Sequence, residues 1–161
     1  MEAERYEHFT ICIESIAKNL KQLKTIVSTD AGVKGVHIFW LYILLSYPEG
    51  LTSAEIANRC GVDPSLISRE IADLVKNNVL VPSSPVSGSR RKYNLRYTLT
   101  EEGRRIATKI QNLALYTQNS LDEGIHAEDL AVFYAVLDKL AERFMTMPDI
   151  IQNLLKGESD T

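Results

Sequence analysis

The amino-acid sequence predicts a mainly α fold built around a helix-turn-helix that runs directly into a two-stranded β hairpin, with further helices on either side. Three observations predict it. Thr52 and Glu55 stand at capping-box spacing, so a short helix begins where hydroxyl and carboxylate each satisfy a backbone N–H left unpaired at a helix start. Cys60-Gly61 closes that helix and Asp63-Pro64 opens another almost at once, an N-cap followed by a proline in the first helical position. Beyond Asn77-Asn78 the apolar period changes from that of a helix to that of a strand.

The second helix of the pair carries Ile67, Ile71, Leu74 and Val75 as a single apolar stripe for the core. Ser65, Ser68, Arg69 and Lys76 lie off that stripe. In a helix-turn-helix the second helix enters the major groove. Small hydroxyls there approach phosphates or base edges, and an arginine one turn in reaches guanine or clamps a phosphate. The plainer alternative is a solvated face, which most amphipathic helices have.

Val79-Leu80-Val81 then forms a short β-type run stopped by Pro82, and Pro82 to Ser89 reads as turn chemistry. Tyr93, Leu95, Tyr97 and Leu99 alternate with Lys92, Asn94, Arg96 and Thr98, as a half-buried strand requires. The hairpin so formed carries Arg90, Arg91, Lys92 and Arg96, with no acidic residue from Leu80 to Thr100. A basic hairpin after a helix-turn-helix is a wing, suited to phosphate or minor-groove contact. An edge strand kept soluble by charge would be served equally well by mixed signs.

The run Ser65-Leu66-Ile67-Ser68-Arg69, followed by Leu74, Asn78-Val79-Leu80, the arginine-rich hairpin and Leu99-Thr100-Glu101-Glu102-Gly103, resembles the MarR family of winged-helix transcriptional regulators. The sequence departs from that pattern in two places, at Ser89, near where the family usually has an aspartate bracing the wing arginines, and at Asp73, a recognition-helix position that is often basic. The resemblance implies dimerisation through terminal helices, and promoter repression relieved by a small aromatic or apolar effector bound between those helices and the DNA-binding lobe. It also implies a prokaryotic, cytoplasmic protein. The chain is then expected to divide into N-terminal helices over 1–47, a DNA-binding lobe over 48–100 and C-terminal dimerisation helices over 101–161.

Charge agrees with that division. The net charge is −3, but Arg59 to Arg105 holds nine Lys or Arg against five Asp or Glu, while the rest holds nine against sixteen. The distribution favours a sequence-selective double-stranded DNA binder over a protein that coats nucleic acid through bulk positive charge. Two cysteines make no disulfide framework, Glu2, Glu4 and Glu7 stand where a signal peptide would be basic, and the apolar run from Ile38 to Leu45 is too short to span a bilayer.

Outside the central motif, Tyr6 to about Val27 reads as an amphipathic helix with Phe9, Ile13, Ile16, Leu20, Leu23 and Val27 on one side, broken at Ser28-Thr29-Asp30-Ala31-Gly32. From about Val36 to Tyr47 the chain is apolar nearly all round, which predicts a helix buried on most faces. Thr100, Glu101 and Glu102 start another helix, to about Asn119. Leu130, Phe133, Leu137, Leu140, Phe144, Met147, Ile151 and Leu154 then step by threes and fours across Pro148, as two helical pieces or one kinked helix. That stripe exceeds what a small winged-helix domain can cover, so a second copy is the expected partner, placing two recognition helices about one DNA turn apart on a palindrome. An intramolecular helical bundle is the alternative.

The catalytic and metal chemistry is sparse. His8, His37 and His126 have no partners at ligand spacing, and neither a phosphate-binding glycine loop nor a nucleophile motif is present, so neither an enzyme, a metal site nor a cofactor is expected. Tyr6, Phe9, His37, Phe39, Trp40 and Tyr42 are candidates to line an effector pocket, or are simply core. Cys60 reads as a small core hydrophobe. Cys12 lies close to where the peroxide-sensing branch of the family carries its reactive cysteine, which leaves redox sensing open. A winged-helix module that binds protein and never DNA is the remaining alternative.

Overall fold

The computed structural model describes residues 2–83 and 95–158. The elements run α1 (Glu2–Ala31), α2 (His37–Leu44), β1 (Leu51–Thr52), α3 (Ser53–Cys60), α4 (Pro64–Lys76), β2 (Leu80–Ser83), β3 (Arg96–Leu99), α5 (Glu101–Asp122) and α6 (Ala127–Glu158). Two compact units divide the chain, Met1–Tyr116 and Thr117–Thr161.

The first unit is a winged helix. Thr52 and Glu55 form the capping box, with the Thr52 N–H donating to Glu55 Oε2 at 2.7 Å and the Glu55 N–H to Thr52 Oγ1 at 3.2 Å. Gly61, left-handed at φ 61°, closes α3. Asp63 Oδ1 accepts from the Ser65 N–H at 2.7 Å with Pro64 in the first turn, so α4 begins where its sequence signal lies. Asn78 takes the left-handed conformation (φ 55°) after α4, and the Val79 N–H returns to Leu74 O at 2.9 Å. This closure, usually made by glycine, sends the chain straight into β2.

The sheet has three antiparallel strands in the order β1-β3-β2, not the two of a simple hairpin. Leu51 pairs with Tyr97 and Thr52 with Arg96, while Leu80 to Ser83 pair with Leu99 to Arg96. Pro82 was expected to stop its strand but lies within β2. The strand stands at the edge of the described sheet, the position in which a residue without an N–H is tolerated.

The core gathers between α2, α3, α4, the sheet and the first turns of α5. Leu41, Ile56, Ile67, Leu74, Leu80 and Ile110 are its largest fully buried side chains. The junction of strand and helix at Thr100 explains the Leu-Thr-Glu-Glu-Gly run physically. Thr100 Oγ1 donates to Asn78 O at 2.7 Å and accepts from the Gly103 N–H at 2.9 Å. A Cβ on Gly103 would lie 2.0 Å from Val79 O, so only glycine lets α5 press against the turn that leads from α4 into β2.

The expectations for α1 and α2 need correction. Helix α1 does not break at Ser28. The hydroxyls of Ser28 and Thr29 both donate to Thr25 O, at 3.0 and 2.9 Å, and so stay inside the helix instead of competing with it. The end comes at Gly32 (φ 68°), with the Val33 N–H bonded to Ser28 O at 3.0 Å. Helix α2 is buried through His37, Trp40, Leu41 and Leu44, with Ile38, Tyr42 and Ile43 half-buried against the core, and Phe39 alone of its residues is exposed, at 47%. It also ends at Leu44, short of Tyr47, in turns that bond Ser46 N to Ile43 O and Tyr47 N to Leu44 O.

The second unit joins the end of α5 to α6 through Gly124 (φ 79°), and Gln118 Nε2 donates to both Asp122 Oδ1 at 2.9 Å and the Tyr134 hydroxyl oxygen at 3.0 Å. Helix α6 continues through Pro148 as one element. Proline gives up one backbone hydrogen bond, a cost that water can offset on an exposed stretch. Val132, Phe133, Met145, Ile150, Ile151 and Leu154 of α6 are all exposed.

Candidate nucleic-acid interface

Helix α4 turns Ile67, Ile71 and Leu74 into the core, which fixes what its opposite side presents. At 3.6 residues per turn the outward side carries Ser65, Ser68, Arg69 and Lys76, all exposed as the sequence implied. Ser68 Oγ donates to Pro64 O at 3.1 Å and keeps its lone pairs for an incoming donor. Ala72, which sequence reasoning passed over, shares this side and is exposed. Its spacing, one turn after Ser68 and one before Lys76, was the available signal. A methyl there suits the apolar contact that thymine offers in the major groove.

The two carboxylates within α4 are turned away from that surface. Lys34, in the turn between α1 and α2, donates from Nζ to Glu70 Oε2 at 2.8 Å and to Asp73 Oδ2 at 2.6 Å. Both carboxyls are held below the usual range, primarily by the hydrogen bond from Lys34, and Lys34 is raised in turn, Asp73 first. Asp73, one of the departures from the family pattern, is therefore matched by a cation from outside its helix.

His37, first residue of α2, is 3% exposed, and its Nε2 lies 2.9 Å from the same Glu70 Oε2. Against a carboxylate this nitrogen donates, leaving Nδ1 as an acceptor, and Nδ1 has no hydrogen-bond partner among the described residues. Burial lowers the His37 pKa below its ordinary 6.5 and outweighs the opposing pull of Glu70. The buried imidazole is thus satisfied on one side only.

The wing residues Arg90, Arg91 and Lys92 lie outside the described residues. Arg96 is at the wing's root and points back into the scaffold, where Nη1 donates to Gly50 O at 2.6 Å and Nη2 to Glu55 Oε1 at 3.2 Å. The pairing of Thr52 with Arg96 causes this, because it brings the guanidinium over the first turn of α3. Glu55, held below the usual carboxylate range chiefly by the Thr52 backbone N–H, thus caps α3 with one oxygen and braces the wing with the other. Arg59 lies over the Tyr47 ring, 4.4 Å from its centroid, at the exposed end of α3.

The six pocket candidates do not converge within one chain. The His37 and Trp40 rings face the core 5.6 Å apart, while Phe39 and Tyr42 stack on each other at 6.3 Å. Helix α1 meets the core through Val27 and Ala31, so Phe9 lies about five helical turns away along it, and Tyr6 farther still. Cys12 is exposed, with Sγ 3.8 Å from His8 Nε2 one turn earlier. Cys60 is half-buried and burial pushes its thiol up, in keeping with a packing role. Among the described residues no group of three or more His, Cys, Asp or Glu is arranged to hold a metal ion, and no helix is long and apolar enough to cross a membrane.

No family model matches the sequence, and no curated protein matches it. Solved structures do. A MarR family protein from Bacillus stearothermophilus is similar at TM-score 0.65 and 21% identity, over 90% of this chain and 99% of that one. A putative MarR family transcriptional regulator from Listeria monocytogenes, complexed with 26mer DNA, gives 0.70 and 18% over 83% and 87%. Staphylococcus aureus MarR in complex with salicylate and kanamycin gives 0.70 and 14% over 89% and 94%. The chain has the winged-helix fold of these regulators.

Proposed function

We propose that this chain is a MarR family transcriptional regulator that binds a palindromic double-stranded DNA operator as a homodimer and represses the promoter beneath it. The observation that carries the reading is the outward side of α4. Ser65, Ser68, Arg69, Ala72 and Lys76 are exposed together there, while Glu70 and Asp73 are occupied by Lys34. The surface left to a partner is polar and cationic, with the basic hairpin residues Arg90, Arg91 and Lys92 following in the chain. In this reading the helix reads bases, the wing holds backbone or minor groove, and Arg96 positions the wing rather than touching DNA.

Residues 1–47 and 101–161 supply the dimerisation helices around the lobe over 48–100. The exposed apolar residues of α1, among them Ile13, Ile16, Leu20 and Leu23, support a second copy as their cover, as do those of α6. A second copy would also supply the α1 aromatics Tyr6 and Phe9 that one chain leaves distant from Phe39 and Tyr42. That supports an aromatic or apolar effector bound where the copies meet, of the kind salicylate represents in the Staphylococcus aureus structure. Such an effector relieves repression only by favouring one spacing of the two α4 helices over another. The cytoplasm is the compartment this function requires.

Selection of bound sequences from random duplexes tests the reading. The purified protein should enrich a palindrome. Arg69→Ala should relax base preference within it, and Arg91→Ala should weaken all duplexes alike and lower the salt slope by about one. A selection that enriches nothing contradicts the proposal.

A further inference from the structure

The cluster of Lys34, His37, Glu70 and Asp73 is not part of the DNA-facing side of α4, nor of the apolar core beneath it. Glu70 and Asp73 are three residues apart on one flank of the helix, between the buried Ile67, Ile71 and Leu74 and the exposed Arg69 and Lys76. Both partners come from one corner of the chain, since the His37 N–H is bonded to Lys34 O at 2.9 Å. That corner is itself fixed to the end of α1 through Val33 N and Ser28 O at 3.0 Å. One carboxylate oxygen, Glu70 Oε2, receives both the lysine and the imidazole.

An apolar stripe holds a helix against a core without fixing its rotation, because the hydrophobic effect is non-directional. Charge-assisted hydrogen bonds are directional and short. Lys34 is 55% exposed, so its pairs add little to stability, and their consequence is geometric. Rotating α4 about its axis by roughly 20° carries a group about 6 Å from that axis through about 2 Å. That displacement is enough to lose a hydrogen bond to a base edge.

We propose that Lys34, with Glu70, Asp73 and His37, is a positioning cluster that sets the rotation of the recognition helix and ties it to the end of α1, so that base readout depends on residues that never touch DNA. The inference rests on the DNA-binding reading above. It assigns Lys34 a part in specificity although it lies outside the helix-turn-helix, and it gives the acidic Asp73 a purpose in a helix that faces polyanion.

The test compares the duplex enriched by the wild-type protein with a scrambled duplex of equal length, at several salt concentrations, for wild type, Lys34→Ala, Lys34→Arg and Asp73→Asn. Thermal melting establishes that each variant is folded. Lys34→Ala should lose on the order of tenfold in affinity for the selected duplex, the scale of coupling carried by such contacts. Its affinity for the scrambled duplex should change by less than about twofold with an unaltered salt slope, and Lys34→Arg should restore selectivity. Asp73→Asn should show the same loss, in smaller measure. A folded Lys34→Ala that discriminates as wild type does overturns the inference and leaves the DNA-binding reading intact. A Lys34→Ala that weakens both duplexes alike and flattens the salt slope makes Lys34 a phosphate contact and also overturns it. Wild-type protein that prefers no duplex removes the reading and the inference together.

Discussion

Helices α4 and α6 carry the same kind of message, an apolar stripe at helical spacing, and meet opposite fates. Helix α4 spends its stripe inside its own chain, with Ile67, Ile71 and Leu74 all buried. Helix α6 is more than twice as long, 32 residues against 13, and among its described side chains none is buried. The stripe alone does not say what will cover it. What separates the two is local company. Helix α4 is held by a cap at Asp63, a closure at Asn78 and a flank at Lys34, all within a lobe too small to leave its stripe in water.

Substitutions sharpen that contrast. The largest effect is expected at Ile67, fully buried among α3, α4 and the sheet, where Ile67→Ala should cost about 2–5 kcal/mol in denaturant unfolding. Gly103→Ala should follow at about 1–3 kcal/mol, because a methyl on α5 would have to displace the Val79 carbonyl. Ile151→Glu, on the exposed α6, should leave unfolding of the winged-helix lobe within about 0.5 kcal/mol of wild type. It should shift sedimentation toward the monomer. If Ile151→Glu destabilises the lobe as Ile67→Ala does, the contrast between the helices fails.

A smaller effect comes from pH. Burial lowers the His37 pKa in the folded chain, so the unfolded chain binds the proton more readily. The stability this contributes is complete above the ordinary histidine value of about 6.5 and is lost as pH falls through the lowered folded value. The slope is at most about 1.4 kcal/mol per pH unit. The lowered pKa values of Glu70 and Asp73 act in the same direction, but only below the ordinary carboxylate range. Unfolding measured from pH 7.5 to 5.5 should therefore show a decline that His37→Gln flattens. An equal decline in both would place the titration elsewhere. A further effect, on binding and not on folding, is expected at Ala72, where replacing thymine by uracil in the selected duplex should cost about 1 kcal/mol at one position. Ala72→Gly should abolish that difference.

Much of this architecture was legible because its signals are local. The capping box, the Asp63-Pro64 start and the apolar steps of α4 each lie within a turn or two of chain, and each is found where it was read. What escaped is nonlocal. Arg96 was assigned to the outer surface by strand alternation, yet it bonds Gly50 at a separation of 46 residues, through a strand β1 only two residues long and too short to show a period. The pairs of Glu70 with His37 and of Asp73 with Lys34 span 33 and 39 residues, and no spacing rule announces them. The end of α1 was misplaced because Ser28 and Thr29 resemble a break in sequence while their hydroxyls serve the helix in three dimensions. Of the candidate site, the α4 residues follow from periodicity, and Ala72 was overlooked because it carries no polar group to attract notice.

The central claim is that two copies of α4 are presented at a fixed separation matched to one turn of DNA. Its most direct test varies the spacing between the half-sites of the selected palindrome. With half-sites about 10 base pairs apart, centre to centre, two chains should bind together, and inserting five base pairs should reduce affinity to that of a scrambled duplex. Affinity indifferent to the insertion, or one chain per duplex at every spacing, would contradict it.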